Sequence, residues 1–281
     1  MFEKPPLLLT RPGCITTLAG AHDAMGARLV QAAGFDGVWA SSLEIATARG
    51  VPDDDSLDWQ EIHAAGKHIA DAVEIPVVAD CGNGCLEFGE MQQLVDAYDM
   101  SRVAALCFED GASPRRNSLL NGEHSLASVA EFTRRLKAVI ARKRRVQILA
   151  RVQALVAGYG QVEALLRAHA YADAGADAIV IHSRRSSEEE VLSFASKWTH
   201  ATPLVVIPTT YHVMTRRQML DSGTIRAAIY ANQGIRAAIS AMKRVFRQIL
   251  DDGTSHHAEP WIAPLDEVFA LQSPWPHGEP R

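Results

Sequence analysis

Continuous apolar blocks alternate with amphipathic stretches from one end of the chain to the other. The blocks that predict strands are Cys14–Ala21, Gly37–Ser42, Pro76–Gly82, Ala104–Asp110, Val146–Gln153, Ala176–Ser183, Pro203–Thr209 and Thr224–Asn232. Runs such as Val77-Val78-Ala79 and Ala178-Ile179-Val180-Ile181 are apolar without a break, the texture of parallel strands buried on both faces. Between them, helical spacing predicts helices over Ala24–Ala33, Asp58–Val73, Phe88–Tyr98, Ser125–Lys143, Gln161–Ala174, Glu188–Lys197, Thr215–Ser222 and Gly234–Leu250. Gly34, Gly175, Gly223 and Gly253 follow helices, where a left-handed cap is wanted. Strand–helix units repeated in this way predict a (β/α)8 barrel over residues 1–253. A doubly wound dinucleotide fold is disfavoured, because no Gly-x-Gly-x-x-Gly follows the first strand. The tail 254–281, rich in proline, is expected outside the barrel or on a partner subunit.

Composition narrows the class. At 281 residues the chain suits one α/β barrel, and 47 % hydrophobic residues can fill its core. A net charge of −5 without a basic face argues against nucleic acid. The densest basic stretch, Arg142-Lys143-Arg144-Arg145, ends a predicted helix, where cations complement the helix dipole. No segment approaches a membrane span and the first residues are too short an apolar run for a signal peptide, so a cytoplasmic setting is expected. Cys14, Cys81, Cys85 and Cys107 form no disulfide framework, and no second Cys/His pair completes a zinc site with Cys81 and Cys85.

In such barrels chemistry sits where strands run out. Strand two ends Trp39-Ala40-Ser41-Ser42-Leu43, with Asp53-Asp54-Asp55 in the loop beyond. Strand three ends in Asp80, four in Glu109-Asp110, five in Arg151, six in His182, seven in Thr209-Thr210 and eight in Asn232. Asp80 and Glu109 offer hard oxygens suited to Mg²⁺. Arg151 can grip a carboxylate or phosphoryl group through paired hydrogen bonds.

The chain resembles the phosphoenolpyruvate mutase and phosphonopyruvate hydrolase branch of the isocitrate lyase superfamily from about Gly20 to Gln272. The landmarks are His22-Asp23-Ala24, Gln31 through Ser41, Gly50-Val51-Pro52-Asp53, Glu109-Asp110 followed by Asn117-Ser118, Ala150-Arg151-Val152 with Ala157-Gly158, Ala174 through Ser183, and Ile207-Pro208-Thr209. The resemblance implies that Trp39, Ser41, Ser42 and Leu43 hold the oxo-acid end of a small phosphorylated or phosphonylated 2-oxo acid. Asp53 then stands near the transferring phosphoryl group, and Asp80 and Glu109 belong to the shell of a Mg²⁺ cofactor. Asn117, Ser118, Arg151 and His182 contact phosphoryl or carboxylate oxygens. Arg115 falls where the family has a lysine on a lid, here 111–125. A homodimer or homotetramer with exchanged last helices is also implied.

The chain departs from the family in three places. The third strand ordinarily ends Asp-x-Asp-x-Gly-x-Gly and here reads Asp80-Cys81-Gly82-Asn83-Gly84-Cys85. A lysine after the Glu-Asp pair is Gly111, and a glutamate after Arg-Val is Gln153. The loop Gly111–Ser118 has neither Cys nor His, which argues against a carbon–carbon lyase. Asn117-Ser118 leans toward the mutase, whereas Val51-Pro52-Asp53 and His182-Ser183-Arg184 lean toward the hydrolase. A ligand-binding relative without turnover is the third alternative.

Overall fold

A computed structural model describes residues 9, 13–54, 56–84 and 88–272. Its strands are β1 (Thr16–Ala21), β2 (Gly37–Ala40), β3 (Val77–Asp80), β4 (Ala105–Glu109), β5 (Gln147–Val152), β6 (Ala178–Ile181), β7 (Leu204–Val206) and β8 (Ile225–Tyr230). All pair in parallel in chain order, and β8 closes on β1, giving the expected eight-stranded barrel.

Strand alternation divides the core in two. Leu18, Trp39, Val78, Ala105, Cys107, Leu149, Val180 and Ile229 fill the barrel interior. Their neighbours Val38, Val77, Leu106, Phe108, Ile148, Ala150 and Ile179 face outward, against the helices. Those helices are α1 (Ala24–Ala32), α2 (Ser42–Arg49), α3 (Trp59–Asp71), α4 (Phe88–Asp99), α5 (Val129–Arg142), α6 (Gly160–Asp173), α7 (Glu189–Lys197), α8 (Arg216–Asp221), α9 (Gln233–Asp252) and α10 (Leu265–Gln272). Caps fix several starts: Asp23 accepts from Gly26 N at 2.7 Å, and Asp58 with Glu61 forms a capping box on α3.

Three features differ from the sequence reading. The strands are shorter than the apolar runs, most of them at both ends, β1 only at its start and β2 only at its end. The segment after β2, read as loop, opens with α2. Ser41 caps that helix and Gly50, at φ +71°, ends it. Its buried residues Glu44, Ile45 and Ala46 are consecutive, so no helical stripe announces it. The segment before α5 is extended, with Leu126 bridged to Gly111, and the helix starts only after its cap Ser128.

Helix α9 has no buried residue, nor has α10. A backbone contact ties the tail to α1, through Arg28 Nη1 donating to Leu271 O. Among the described residues no helix is long and apolar enough to cross a membrane. Cys85, Asp55 and the end of the tail from residue 273 lie outside the described residues, as do most of the first twelve.

Candidate functional site

At the C-terminal ends of the strands lies a cavity of about 40 Å³. Every side chain to which the family resemblance gives a role borders it. Trp39, Ser41, Ser42 and Leu43 come from the β2–α2 turn, and Asp53 from the loop after α2. Asp80 and Glu109 end β3 and β4, Arg151 lies on β5, and His182 follows β6. Arg115, Asn117 and Ser118 are lowered over it from the segment 111–125. Leu119, Ile207, Thr209, Ala231 and Asn232 complete the wall.

Parity decides which strand-end residues arrive. Val78 faces the barrel interior, so Asp80 does also; the same step runs from Cys107 to Glu109, from Leu149 to Arg151 and from Val180 to His182. Asp110 is one residue out of phase and turns away. Its carboxylate accepts from Gln153 N at 2.8 Å, Arg167 Nη1 at 2.8 Å and Tyr171 Oη at 2.7 Å, outside the cavity. The pair Glu109-Asp110 therefore divides into one group facing the cavity and one clamp against α6.

The cavity is a dense ionic network. Glu109 Oε1 accepts from Arg115 Nε at 3.0 Å, and Oε2 accepts from Gln153 Nε2 and lies 3.3 Å from Arg151 Nη1. Asp53 Oδ1 accepts from Arg115 Nη1 at 2.9 Å, and Oδ2 from Asn117 Nδ2. Asp80 Oδ2 accepts from Ser42 Oγ at 3.0 Å, while Ser42 Oγ accepts from Arg115 Nη2 at 3.1 Å. Asp80 Oδ1 accepts from Gly82 N at 3.2 Å. Burial pushes the Asp80 carboxyl up against the opposing pull of Arg151 and Arg115. Burial alone would lower the Arg115 guanidinium, but Glu109, Asp53 and Asp80 outweigh it and hold the charge in place.

His182 is neutral. Burial and the nearby charges of Arg151 and Arg184 depress it to about 3. Nδ1 stands 3.1 Å from the Ile207 carbonyl, which can only accept, so the proton sits on Nδ1 and Nε2 keeps its lone pair. The α2 N-terminus contributes donors of another kind. Ser41 Oγ satisfies Glu44 N, which leaves the Ser42 and Leu43 amides as first-turn donors suited to an anion.

The segment 111–125 is strapped down. The Arg116 backbone pairs antiparallel with that of Asp54, Asn83 Nδ2 donates to Ser113 Oγ at 3.0 Å, and Ala112 N donates to Ser125 O at 3.0 Å. Arg184 donates to Ser118 O through Nε at 2.9 Å and through Nη2 at 2.6 Å, and also reaches Leu120 O. Arg184 and Gln153 are site residues that sequence reasoning undervalued. The signal for Arg184 was its place two residues beyond the His182 strand end. For Gln153 it was inward parity two residues beyond Arg151. An amide there donates to Glu109, where a carboxylate would repel it. Gln153 and Gly111 also border a second cavity, of about 230 Å³, lined largely by the segment 111–126.

A divalent ion finds the right chemistry here, since Asp80, Glu109 and Asp53 are hard oxygen donors at one end of the barrel. Their oxygens are already engaged, however, and among the described residues no group of three or more His, Cys, Asp or Glu side chains is arranged to hold a metal ion.

The family model described as phosphoenolpyruvate phosphomutase matches residues 7–250. The phosphoenolpyruvate phosphomutase of Streptomyces hygroscopicus is 38 % identical over 94 % of this chain and 85 % of its own length. The crystal structure of phosphoenolpyruvate phosphomutase from Streptomyces platensis subsp. rosaceus superposes with a TM-score of 0.91 at 42 % identity, over 94 % of this chain and 92 % of that one. A phosphonopyruvate hydrolase, solved with oxalate and Mg²⁺, gives a TM-score of 0.86 at 33 % identity over 92 % and 90 %.

Proposed function

The chain belongs to the phosphoenolpyruvate phosphomutase family, and from that premise we propose that it interconverts phosphoenolpyruvate and phosphonopyruvate at the cavity described above. The reaction is an isomerisation. The bond from phosphorus to the enol oxygen breaks, a bond from phosphorus to the methylene carbon forms, and nothing else enters or leaves. Two requirements follow. Charge left on the enolate and carboxylate must be held, and water must be kept from the phosphoryl group while it is between partners.

The residues support a role for each. The Ser42 and Leu43 amides, with Trp39 and Ser41 behind them, suit the oxo-acid end, and Arg151 supplies a fixed positive charge beside it. Asn117, Ser118 and the His182 ring suit the phosphoryl end. Asp53, gripped through both oxygens by Arg115 and Asn117, is aimed across the cavity where the group transfers. Asp80 and Glu109 would hold a Mg²⁺ ion, whose chemistry is to neutralise developing charge on the enolate. The observation that carries the reading is convergence: ionic groups from separate strands meet in one cavity beneath the segment 111–125, which Arg184 and Arg115 hold in place.

Hydrolysis of the carbon–phosphorus bond is the second reading, supported by the hydrolase neighbour and by Arg184 after His182-Ser183. One ³¹P NMR experiment separates them. Phosphonopyruvate with Mg²⁺ should give the phosphoenolpyruvate resonance. Orthophosphate with pyruvate would replace the mutase by the hydrolase, and an unchanged spectrum would refute both. A cytoplasmic setting, and a homodimer or homotetramer, complete the proposal.

A further inference from the structure

We propose that His22 is the counter-charge to the buried Glu44 carboxylate in the first turn of α2, and that this pairing keeps the Ser42 and Leu43 amides receptive to an anion. This rests on the assignment of the oxo-acid end to those amides and not on which reaction follows.

Glu44 directly follows the two amide donors in α2. It is 1 % exposed, and Ser41 Oγ accepts from its N–H at 3.3 Å. Its Oε2 lies 3.3 Å from His22 Nδ1, and Oε1 has no hydrogen-bond partner among the described residues. A carboxylate so buried and so thinly partnered calls for a positive charge close by. His22, the residue after β1, stands where that charge is wanted. The hydrogen bond to Glu44 raises its imidazole above the ordinary 6.5, against the opposing pull of burial, and Asp23 adds to the rise from 3.6 Å. These two carboxylates are the charged groups that face the ring, one from its own loop and one from α2. Asp23 is fixed in turn as the cap of α1, accepting from Gly26 N at 2.7 Å. The His22 side chain remains 19 % exposed, so it can exchange its proton with solvent.

Gly20 on β1 makes room for the carboxylate. A Cβ there would lie 2.5 Å from Glu44 Oε1 and 2.3 Å from the Ala231 carbonyl oxygen, and the second of these is backbone that cannot swing aside. The consequence for the site is electrostatic. Amides at a helix N-terminus attract an anion because their partial positive charge is unanswered. An acid in the same turn answers it, and in a buried setting also repels an incoming carboxylate. A protonated His22 cancels that charge without occupying the amides. Ser41 N donates to Ala21 O at 3.2 Å, so the turn stays seated on β1 whichever charge His22 carries.

The probe is oxalate, a dianion the size of the oxo-acid end with no phosphoryl group, titrated calorimetrically into the full-length protein at saturating Mg²⁺. His22→Gln, which keeps a donor but carries no charge, should weaken oxalate binding about tenfold. Adding Glu44→Gln should return the affinity to within about twofold of wild type, because the charge to be cancelled is then gone. In wild type the affinity should be steady below pH 6.5 and fall as the pH rises through the raised titration of His22. Oxalate keeps its charge over that range, and His182, held to about 3, is neutral throughout. Glu44→Gln alone should abolish the fall, and this comparison decides the matter if His22→Gln does not fold. Wild-type affinity in His22→Gln, a double variant as weak as the single one, or a fall that persists in Glu44→Gln overturns the proposal. Oxalate that does not bind wild type overturns it together with the oxo-acid seat. Every readout is independent of turnover, so failure of the mutase assay leaves these binding results standing.

Discussion

At the scale of single residues, the site turns on positions where the family pattern and this chain part. Gly82 lies at φ +53°, in the left-handed region, against the Arg115 side chain. Replacing it by Asp, which looks like a restoration from sequence alone, places a side chain into the arginine and strains the backbone. We expect Gly82→Asp to lose about 1–2 kcal/mol of stability in urea unfolding, and to lower mutase turnover by displacing Arg115. Unchanged stability would mean that the loop re-forms around the new carboxylate. His182 makes a second prediction at this scale. Its imidazole titrates near 6.5 when unfolded and is held to about 3 in the fold, by burial first and then by Arg151 and Arg184. The folded state refuses a proton that the unfolded chain accepts. This contribution is intact above about pH 6.5 and drains away as the pH falls from there toward 3. Between pH 6.5 and 4.5 it should remove roughly 2 kcal/mol. His182→Gln should flatten that part of the stability profile, measured by denaturant unfolding at each pH.

At the scale of elements, the sequence made strands and their ends legible, because buried parallel strands are written as unbroken apolar runs. It did not make parity legible at those ends. Glu109 and Asp110 read alike as strand-end acids, yet one faces the cavity and the other clamps β4 to α6 through Arg167 and Tyr171. Only register, set by the inward Cys107, tells them apart. Helix α2 stayed hidden for the related reason that its burial is local and follows no stripe. The clamp predicts a large effect from a residue outside the cavity. Arg167→Met strands the wholly buried Asp110 carboxylate without its counter-charge and should destabilise the barrel by about 3 kcal/mol. Equilibrium unfolding checks this; a loss within experimental scatter would mean that Tyr171 and the Gln153 amide suffice. The segment 111–125 gives the opposite kind of effect. Arg184→Ala removes donors to Ser118 O and Leu120 O but no core contact. Stability should hardly move, while phosphonopyruvate is diverted toward orthophosphate, readable in the same ³¹P spectrum.

At the scale of the whole molecule, the barrel accounts for its own core but α9 does not. Ile235, Ile239, Met242, Phe246 and Ile249 recur at alternating spacings of three and four, which puts them on one face. Met242 is 53 % exposed and Phe246 57 %, and Trp261 and Phe269 in the tail are equally open. A helix this amphipathic, with no buried residue among those described, leaves its apolar face uncovered by the described residues. The sequence showed the stripe and the resemblance supplied the partner, a second copy. Self-association is also the economical solution physically, since a symmetric pair covers both stripes with one contact. The test is a charge in the middle of the stripe. Phe246→Glu should shift the protein from dimer or tetramer to monomer in multi-angle light scattering at micromolar concentration. Each protomer would forgo roughly 2 kcal/mol of phenyl burial and meet an unpaired carboxylate as well. The far-ultraviolet circular dichroism of the barrel should persist, because Phe246 touches none of its core. A variant that stays oligomeric would move the interface off α9 and leave the exposed tail as its alternative seat.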